Sequence, residues 1–332
     1  MMNDFSNPEN FDDAEESRLR FRNHSAVRSY LDLLRIPNVF TAMADVAMGF
    51  LFVQAVGWRF ASWPDLPALA TLLLASSLLY LAGVVLNDVF DLEIDQTERP
   101  ERPLPSGRIA MASARRLGWR LLVAGVAAGS AVVFFVGQFR PGIVAALLAI
   151  CILLYDAWLK RTPLGPLAMG ACRMLNVLLG MSAVDGSLHA EHWAVAGGLG
   201  LYVTGVTWFA RRENRRGVRW QLILATAAMA SGIGLLASLP HWSDRLVPHL
   251  QAVPRDWWLL TGAIGGVILW RCVWAVLDPI PARVRIAVAQ GVLSIVVLDA
   301  VACYAVRDVF WASLILCLLV PAMFLGRWIE VT

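Results

Sequence analysis

Ten apolar runs recur along the chain, at 36–57, 66–86, 117–138, 142–158, 165–184, 193–210, 219–239, 257–277, 286–305 and 309–326, with short polar segments between them. About 20 apolar residues, rising 1.5 Å each, carry a helix across the hydrocarbon of a bilayer. The expected fold class is therefore all-α, a polytopic membrane helix bundle of nine core transmembrane helices with a tenth at the C-terminus. Composition agrees: 58% of the 332 residues are hydrophobic and 16% charged, where soluble domains carry about 25% charge. A formal net charge of +3 is too small to imply nucleic acid as a partner. The partner implied is the lipid bilayer. Residues 1–27 read as a disordered, solvated tail with no cleavable signal sequence, and 28–332 as one membrane domain.

Basic residues orient the bundle. With the N-terminus in the cytoplasm, one side carries Arg18 to Arg35, Arg99 to Arg120, Lys160, Arg161, Arg211 to Arg219, Arg283 and Arg285. The other side carries Arg59, Arg140, Arg245, Arg255 and Arg307, mostly beside acids. The positive-inside rule thus places the N-terminus and the first group of loops in the cytoplasm, in an inner membrane. Glycine pairs at 125 and 129 and at 262 and 266, with Gly197, Gly198 and Gly200, predict close helix packing. Trp58, Trp63, Trp193, Trp257, Trp258, Trp311 and Trp328 fall near run ends and predict interfacial anchors. Five scattered cysteines show no metal or redox spacing and read as reduced packing residues.

The chemistry concentrates where the second run ends. There Asp88, Asp91 and Asp95 follow one another at steps of three and four, which puts them on one face of a continuing helix. A helix C-terminus is itself partly negative, so acids gathered there call for cations. Carboxylate oxygens of this kind suit Mg²⁺. Arg99, Arg102 and Arg108 follow, and guanidinium groups suit phosphate oxygens. Carboxylates for a hard cation and arginines for phosphate, both at a membrane surface, point to a lipid diphosphate as ligand.

A second group, Tyr155, Asp156, Lys160 and Arg161, follows the fourth run on the same side. Asp156 reads either as a general base or as a structural partner of Lys160. Arg173 and Asn176 lie inside the next apolar run. Intramembrane polar groups are costly and usually face a cavity, so both are candidate substrate residues, with Arg173 near phosphate. His189, His192, His241 and His249 fall in loops on the opposite side, which disfavours a histidine-based mechanism.

The pattern NDxxDxxxD from Asn87 to Asp95, followed by RPxRPLPSG from Arg99 to Gly107, resembles the first aspartate-rich motif of the UbiA superfamily of intramembrane prenyltransferases. The resemblance covers roughly residues 28–305. It implies nine helices around a central cavity, with an isoprenyl diphosphate donor held through Mg²⁺ and a prenyl group passed to a small aromatic or alcohol acceptor. It further implies that Asn87, Asp88, Asp91 and Asp95 hold the metal. Tyr155 and Lys160 match the family's Tyr-x-x-x-x-Lys element, with Lys160 on the diphosphate and Tyr155 either on the cavity wall or in a cation–π contact with the developing cation. The family's second aspartate motif is altered here. Tyr202 to Arg219 keeps only Glu213 as an acid, four residues before Gly217, among Arg211, Arg212, Arg215, Arg216 and Arg219. Arg211 and Arg212 then either bind diphosphate directly, with Glu213 as a residual metal ligand, or orient the protein and touch anionic lipid. The altered motif and the extra C-terminal helix are similar to a branch with a specialised acceptor, such as the EboC-like proteins. The alternative function is a non-catalytic isoprenoid-binding or carrier protein. A solute transporter is a third reading, disfavoured because the charges gather on one side.

Overall fold

The computed structural model describes residues 26–54, 65–184, 186–211, 218–241 and 254–326. Residues 1–25 of the tail, Trp58, Arg59, Trp63, Arg212, Glu213, Arg215, Arg216, Arg245, His249 and Trp328 lie outside the described residues, and with them the expectations placed there, while Ala26 and Val27 open a helix. Every regular element among the described residues is helical. In chain order they are α1 Ala26–Leu34, α2 Val39–Val53, α3 Asp65–Phe90, α4 Leu92–Glu98, α5 Met111–Ala131, α6 Arg140–Ala157, α7 Gly165–Met181, α8 Ala190–Ala210, α9 Arg219–Ala237, α10 Pro254–Leu277, α11 Pro281–Val306, α12 Val309–Leu316 and α13 Leu319–Leu325. Among the described residues eight helices are long and apolar enough to cross a membrane, α1 and α2 together forming one of them. The expected ninth is α7, of 17 residues, and the tenth is the α12–α13 pair, broken around Cys317 and Leu318.

Local chemistry sets these boundaries. Proline stands in the first turn of α6, α7 and α11, where its missing N–H costs nothing. Asp308 caps α12 by accepting from the Trp311 amide, and His189 with His192 makes a reciprocal cap on α8. Arg35 interrupts the first crossing with φ 44°, the one positive φ outside glycine among the described residues. L-residues adopt that conformation at a cost, and such strain gathers at functional sites.

The helices α2, α8 and α11 are the most enclosed, and α5, α6 and α10 the least. The outer helices expose Phe134, Leu147, Val267 and Trp270, a surface suited to lipid rather than water. Glycines set the closest approaches. A Cβ on Gly180 in α7 would stand 2.3 Å from the Val46 carbonyl oxygen of α2, and one on Gly49 2.4 Å from the Val177 oxygen of α7. Backbone atoms cannot yield as a side-chain tip can. Gly180→Ala is therefore expected to destabilise the bundle by about 1–3 kcal/mol, read as earlier unfolding in detergent; an unchanged transition would contradict this packing. Gly125 and Gly129 pack tightly as expected, but nothing lies within 4 Å of a Cβ on Gly262 or Gly266. Those two glycines face open space on the outer helix α10, where spacing alone misleads. Trp257 also departs from expectation. It is 1% exposed and donates to the Ala237 carbonyl, so it ties α10 to α9 instead of anchoring at an interface.

Candidate functional site

The acid-rich segment is folded as the sequence suggests, with one change. The second crossing runs past its apolar limit, so Asn87 and Asp88 sit in the last turn of α3. The helix breaks at Asp91 and resumes as α4, whose first turn holds Asp95. The acids therefore divide into two ion-paired sets. Asp88 accepts from Arg35 at 2.7 Å and lies 3.4 Å from Arg102, which also binds Asp95 at 2.7 Å. Asp91 instead meets Lys160 at 2.8 Å and Arg161 at 3.5 Å. Lys160 also donates to Asn87 at 2.9 Å.

Among the described residues no three His, Cys, Asp or Glu side chains converge on one metal position. In this arrangement cations from three other segments occupy the carboxylates. The donors themselves fit Mg²⁺. That ion takes hard oxygens, and it needs only one or two carboxylates when phosphate and water complete its shell. Asn87, Asp88, Asp91 and Asp95 supply four such side chains within two turns.

Arg102, Lys160 and Arg161 all reach this cluster, as the sequence suggests. Arg108 does not. It donates to the Glu101 carbonyl at 2.6 Å and pairs with Asp32 at 3.4 Å, fastening the loop to α1. Arg211 donates to the Lys160 carbonyl at 2.8 Å and to that of Thr162, holding the turn that aims Lys160. Partial burial draws its guanidinium below its ordinary value, with Tyr155 acting in the opposite sense; an arginine stays charged through such a shift.

Beneath the cluster lies a cavity of about 460 Å³ among α2, α3, α6, α7, α8 and α11. Arg35, Asn87, Tyr155 and Asp156 line its mouth, and Thr41, Ser76, Arg173 and Asn176 line it further in. Asp156 is 3% exposed, and its Oδ2 has no hydrogen-bond partner. The Lys160 ammonium bonds Asp91 rather than Asp156. An orphaned buried oxygen on a cavity wall asks instead for a proton or a donor from a ligand. Arg173 and Asn176 face the cavity as expected, but Arg173 binds Asp45 at 2.7 Å, well away from the mouth cluster.

Sequence reasoning misses Arg35, Asn38, Tyr80 and Ser76 on the cavity wall, and Asp45 and Asp299 behind it. The intramembrane-charge rule that flags Arg173 applies equally to both acids. The cysteines likewise look scattered, yet the sulfurs of Cys151 and Cys172 lie 3.4 Å apart across α6 and α7.

A bundle of membrane-spanning helices around an internal cavity, its mouth ringed by paired acids and bases, defines an intramembrane protein with a charged opening over a largely apolar pocket. Residues 47–290 match the UbiA prenyltransferase family, and the chain belongs to that family. A digeranylgeranylglyceryl phosphate synthase of Methanococcoides burtonii is 27% identical over 260 residues, 76% of this chain and 90% of the relative. The synthase of Sulfolobus acidocaldarius is 43% identical over 101 residues, 30% of this chain and 34% of the relative. For several such curated relatives the chain spans only 34–51% of their length.

The fold is also that of solved structures. One, concerned with the biosynthesis of digeranylgeranylglyceryl phosphate synthase in membranes, covers 91% of this chain and 98% of its own, with TM-score 0.58 at 18% identity. A UbiA homolog from Archaeoglobus fulgidus bound to DMAPP and Mg²⁺ covers 79% and 97%, with TM-score 0.57 at 15% identity.

Proposed function

We propose that the protein transfers a prenyl group from an isoprenyl diphosphate to a small aromatic or alcohol acceptor, with Mg²⁺, and releases diphosphate. One observation carries this reading: Asn87 and Asp156 line the same cavity mouth, one tied to the acid–base cluster through Lys160, the other holding an unsatisfied carboxylate oxygen. Family membership supports it, as do relatives named as synthases of a prenylated lipid and a homolog bound to DMAPP and Mg²⁺. The positive-inside pattern supports a cytoplasmic mouth and N-terminus in an inner membrane.

The residues divide the work. Lys160, Arg102, Arg35 and Arg161 exchange their carboxylate partners for diphosphate oxygens and stabilise charge as the allylic carbon–oxygen bond breaks. Asn87, Asp88, Asp91 and Asp95 would hold Mg²⁺, which when bound would further neutralise the leaving diphosphate. The face of Tyr155 meets the allylic cation. Asp156 takes the proton that the acceptor gives up as the new bond forms. The apolar walls exclude water, which would otherwise capture the cation.

The test is incubation of the purified protein in nanodiscs with donor diphosphates of several lengths, Mg²⁺ and a metabolite extract. Mass spectrometry is expected to find a prenyl mass shift that Asp91→Ala and removal of Mg²⁺ both abolish. Donor binding with no diphosphate released across the whole extract would support an isoprenoid carrier instead.

A further inference from the structure

The membrane-spanning helix α10 carries a charge on its outer face. Arg271 is exposed there, six residues before the helix ends at Leu277, and its side chain makes no hydrogen bond or ion pair with another described residue. At 1.5 Å per residue it stands about 9 Å short of the helix end. Charges within spanning helices are costly and normally face a cavity or an acid. Arg271 has neither, since no residue of α10 lines the cavity. Crossings alternate, so α10 ends on the same side of the bundle as α3, α6 and α8, whose last turns reach the cavity mouth.

Two contacts fix what lies beside Arg271. The Arg283 guanidinium of α11 lies 5.3 Å from the centre of the Trp274 ring, and the Gln290 side-chain amide donates to the Val267 carbonyl at 3.2 Å. Seven residues separate Val267 from Trp274 and seven separate Arg283 from Gln290, so both contacts belong to one antiparallel register. Arg271, four residues from Val267 and three from Trp274, shares their stripe of α10. It therefore borders the groove between α10 and α11, about 4.5 Å deeper than Trp274 and Arg283.

This groove is cationic, with interfacial walls. A third guanidinium, Arg219, donates to the Leu277 carbonyl at its rim, at 3.2 Å. Against the three stands one carboxylate, Asp278, 3.1 Å from Arg283. Both members of that pair are exposed, and exposed ion pairs hold weakly, so Arg283 keeps N–H groups for another anion. Trp270 and Trp274 are exposed on the same face as Arg271, their ring centres 5.9 Å apart. Tryptophan settles at the level of lipid headgroups. A phosphate diester at that level can take N–H groups from both arginines, while acyl chains below it meet the exposed Val267 and Ile286. A soluble anion gains nothing from that apolar floor. A zwitterionic headgroup brings its own cation into a region already positive.

We propose that the groove between α10 and α11 binds an anionic glycerophospholipid of the mouth-side leaflet, its phosphate held between Arg271 and Arg283. The site is separate from the cavity and stands without the prenyl-transfer reading.

Protein in detergent micelles is titrated with dioleoyl phosphatidylglycerol or dioleoyl phosphatidylcholine, and native mass spectrometry reads the dissociation constant of the first lipid retained. One basic residue at an anionic lipid surface is worth about fivefold in binding. Phosphatidylglycerol is expected to bind tighter than phosphatidylcholine by at least about that factor. Arg271→Gln and Arg283→Gln should each weaken it about fivefold, while Arg271→Lys keeps the charge and most of the affinity. Arg285 is the control: two residues beyond Arg283, it is turned about 200° around the helix, off the groove. Arg285→Gln should leave the constant unchanged. Circular dichroism reports whether each variant keeps its helices, and Arg283→Gln decides the matter if Arg271→Gln does not fold. Equal retention of the two lipids, or undiminished binding in the folded Arg271 and Arg283 variants, would overturn the proposal. So would an equal loss in Arg285→Gln, the mark of general surface charge, or displacement of the lipid by inorganic phosphate at equal concentration, the mark of a soluble anion.

Discussion

Lys160→Met is expected to lower kcat/KM for prenyl transfer by about 10²–10³-fold, the usual loss when one preorganised donor to a developing oxyanion is removed. Lys160 stands on the turn between α6 and α7, held from beneath by Arg211, and its ammonium touches both Asn87 and Asp91. Under the proposed function it would compete with Mg²⁺ for Asp91 while donating to the diphosphate. These roles have opposite consequences. Removing a competitor should lower the Mg²⁺ concentration needed for half-maximal rate. Removing a phosphate donor should depress the rate even at saturating Mg²⁺. Both changes are expected together, and Lys160→Arg should recover part of the rate, since it keeps the charge but alters the donor geometry. Titrating the initial rate against Mg²⁺ in the two variants separates the roles. Full recovery of rate by Mg²⁺ in Lys160→Met would mean that the lysine only neutralises Asp91, and the diphosphate assignment would fail.

Much of this arrangement is legible in the chain itself. The crossings follow from apolar length, because a bilayer permits few backbone solutions. The acid segment, and Lys160 with Tyr155, stand out because each is a polar interruption at a run's end. What stays hidden is pairing over long separations. Nothing near Arg108 shows that it turns to Asp32 and the Glu101 carbonyl, away from the mouth, because α1 brings Asp32 within reach only after packing. Arg35 looks like one basic residue among many flanking the first run. Only the folded chain shows its left-handed backbone and its bond to Asp88, 53 residues away. The alternation of acids and bases that suggests a metal cage is real, but in the folded cluster the bases themselves occupy the acids.

Asp45→Leu is expected to destabilise the folded bundle by about 3–5 kcal/mol, because it leaves the buried Arg173 guanidinium without the carboxylate oxygen that it bonds. Asp45 is wholly buried, and its Oδ2 receives both Arg173 and Asn176, so one substitution removes the partner of two groups. Arg173→Leu alone should cost a comparable amount, since it leaves Asp45 and Asp299 facing each other with no cation. The double variant Asp45→Leu/Arg173→Leu should cost much less than the sum. It removes opposite charges together, and apolar replacements of buried ion pairs are often close to neutral. The cycle of single and double variants, followed by reversible unfolding in mixed micelles, isolates the coupling from the general effect of changing a buried side chain. Additive losses would show that Asp45 and Arg173 act independently, and their ion pair would have no structural role. A strong coupling would mean that the bundle tolerates this pair in the bilayer interior only because each member shields the other. In that case the one guanidinium on the inner cavity wall is held there by its acid rather than by the packing of α7 alone.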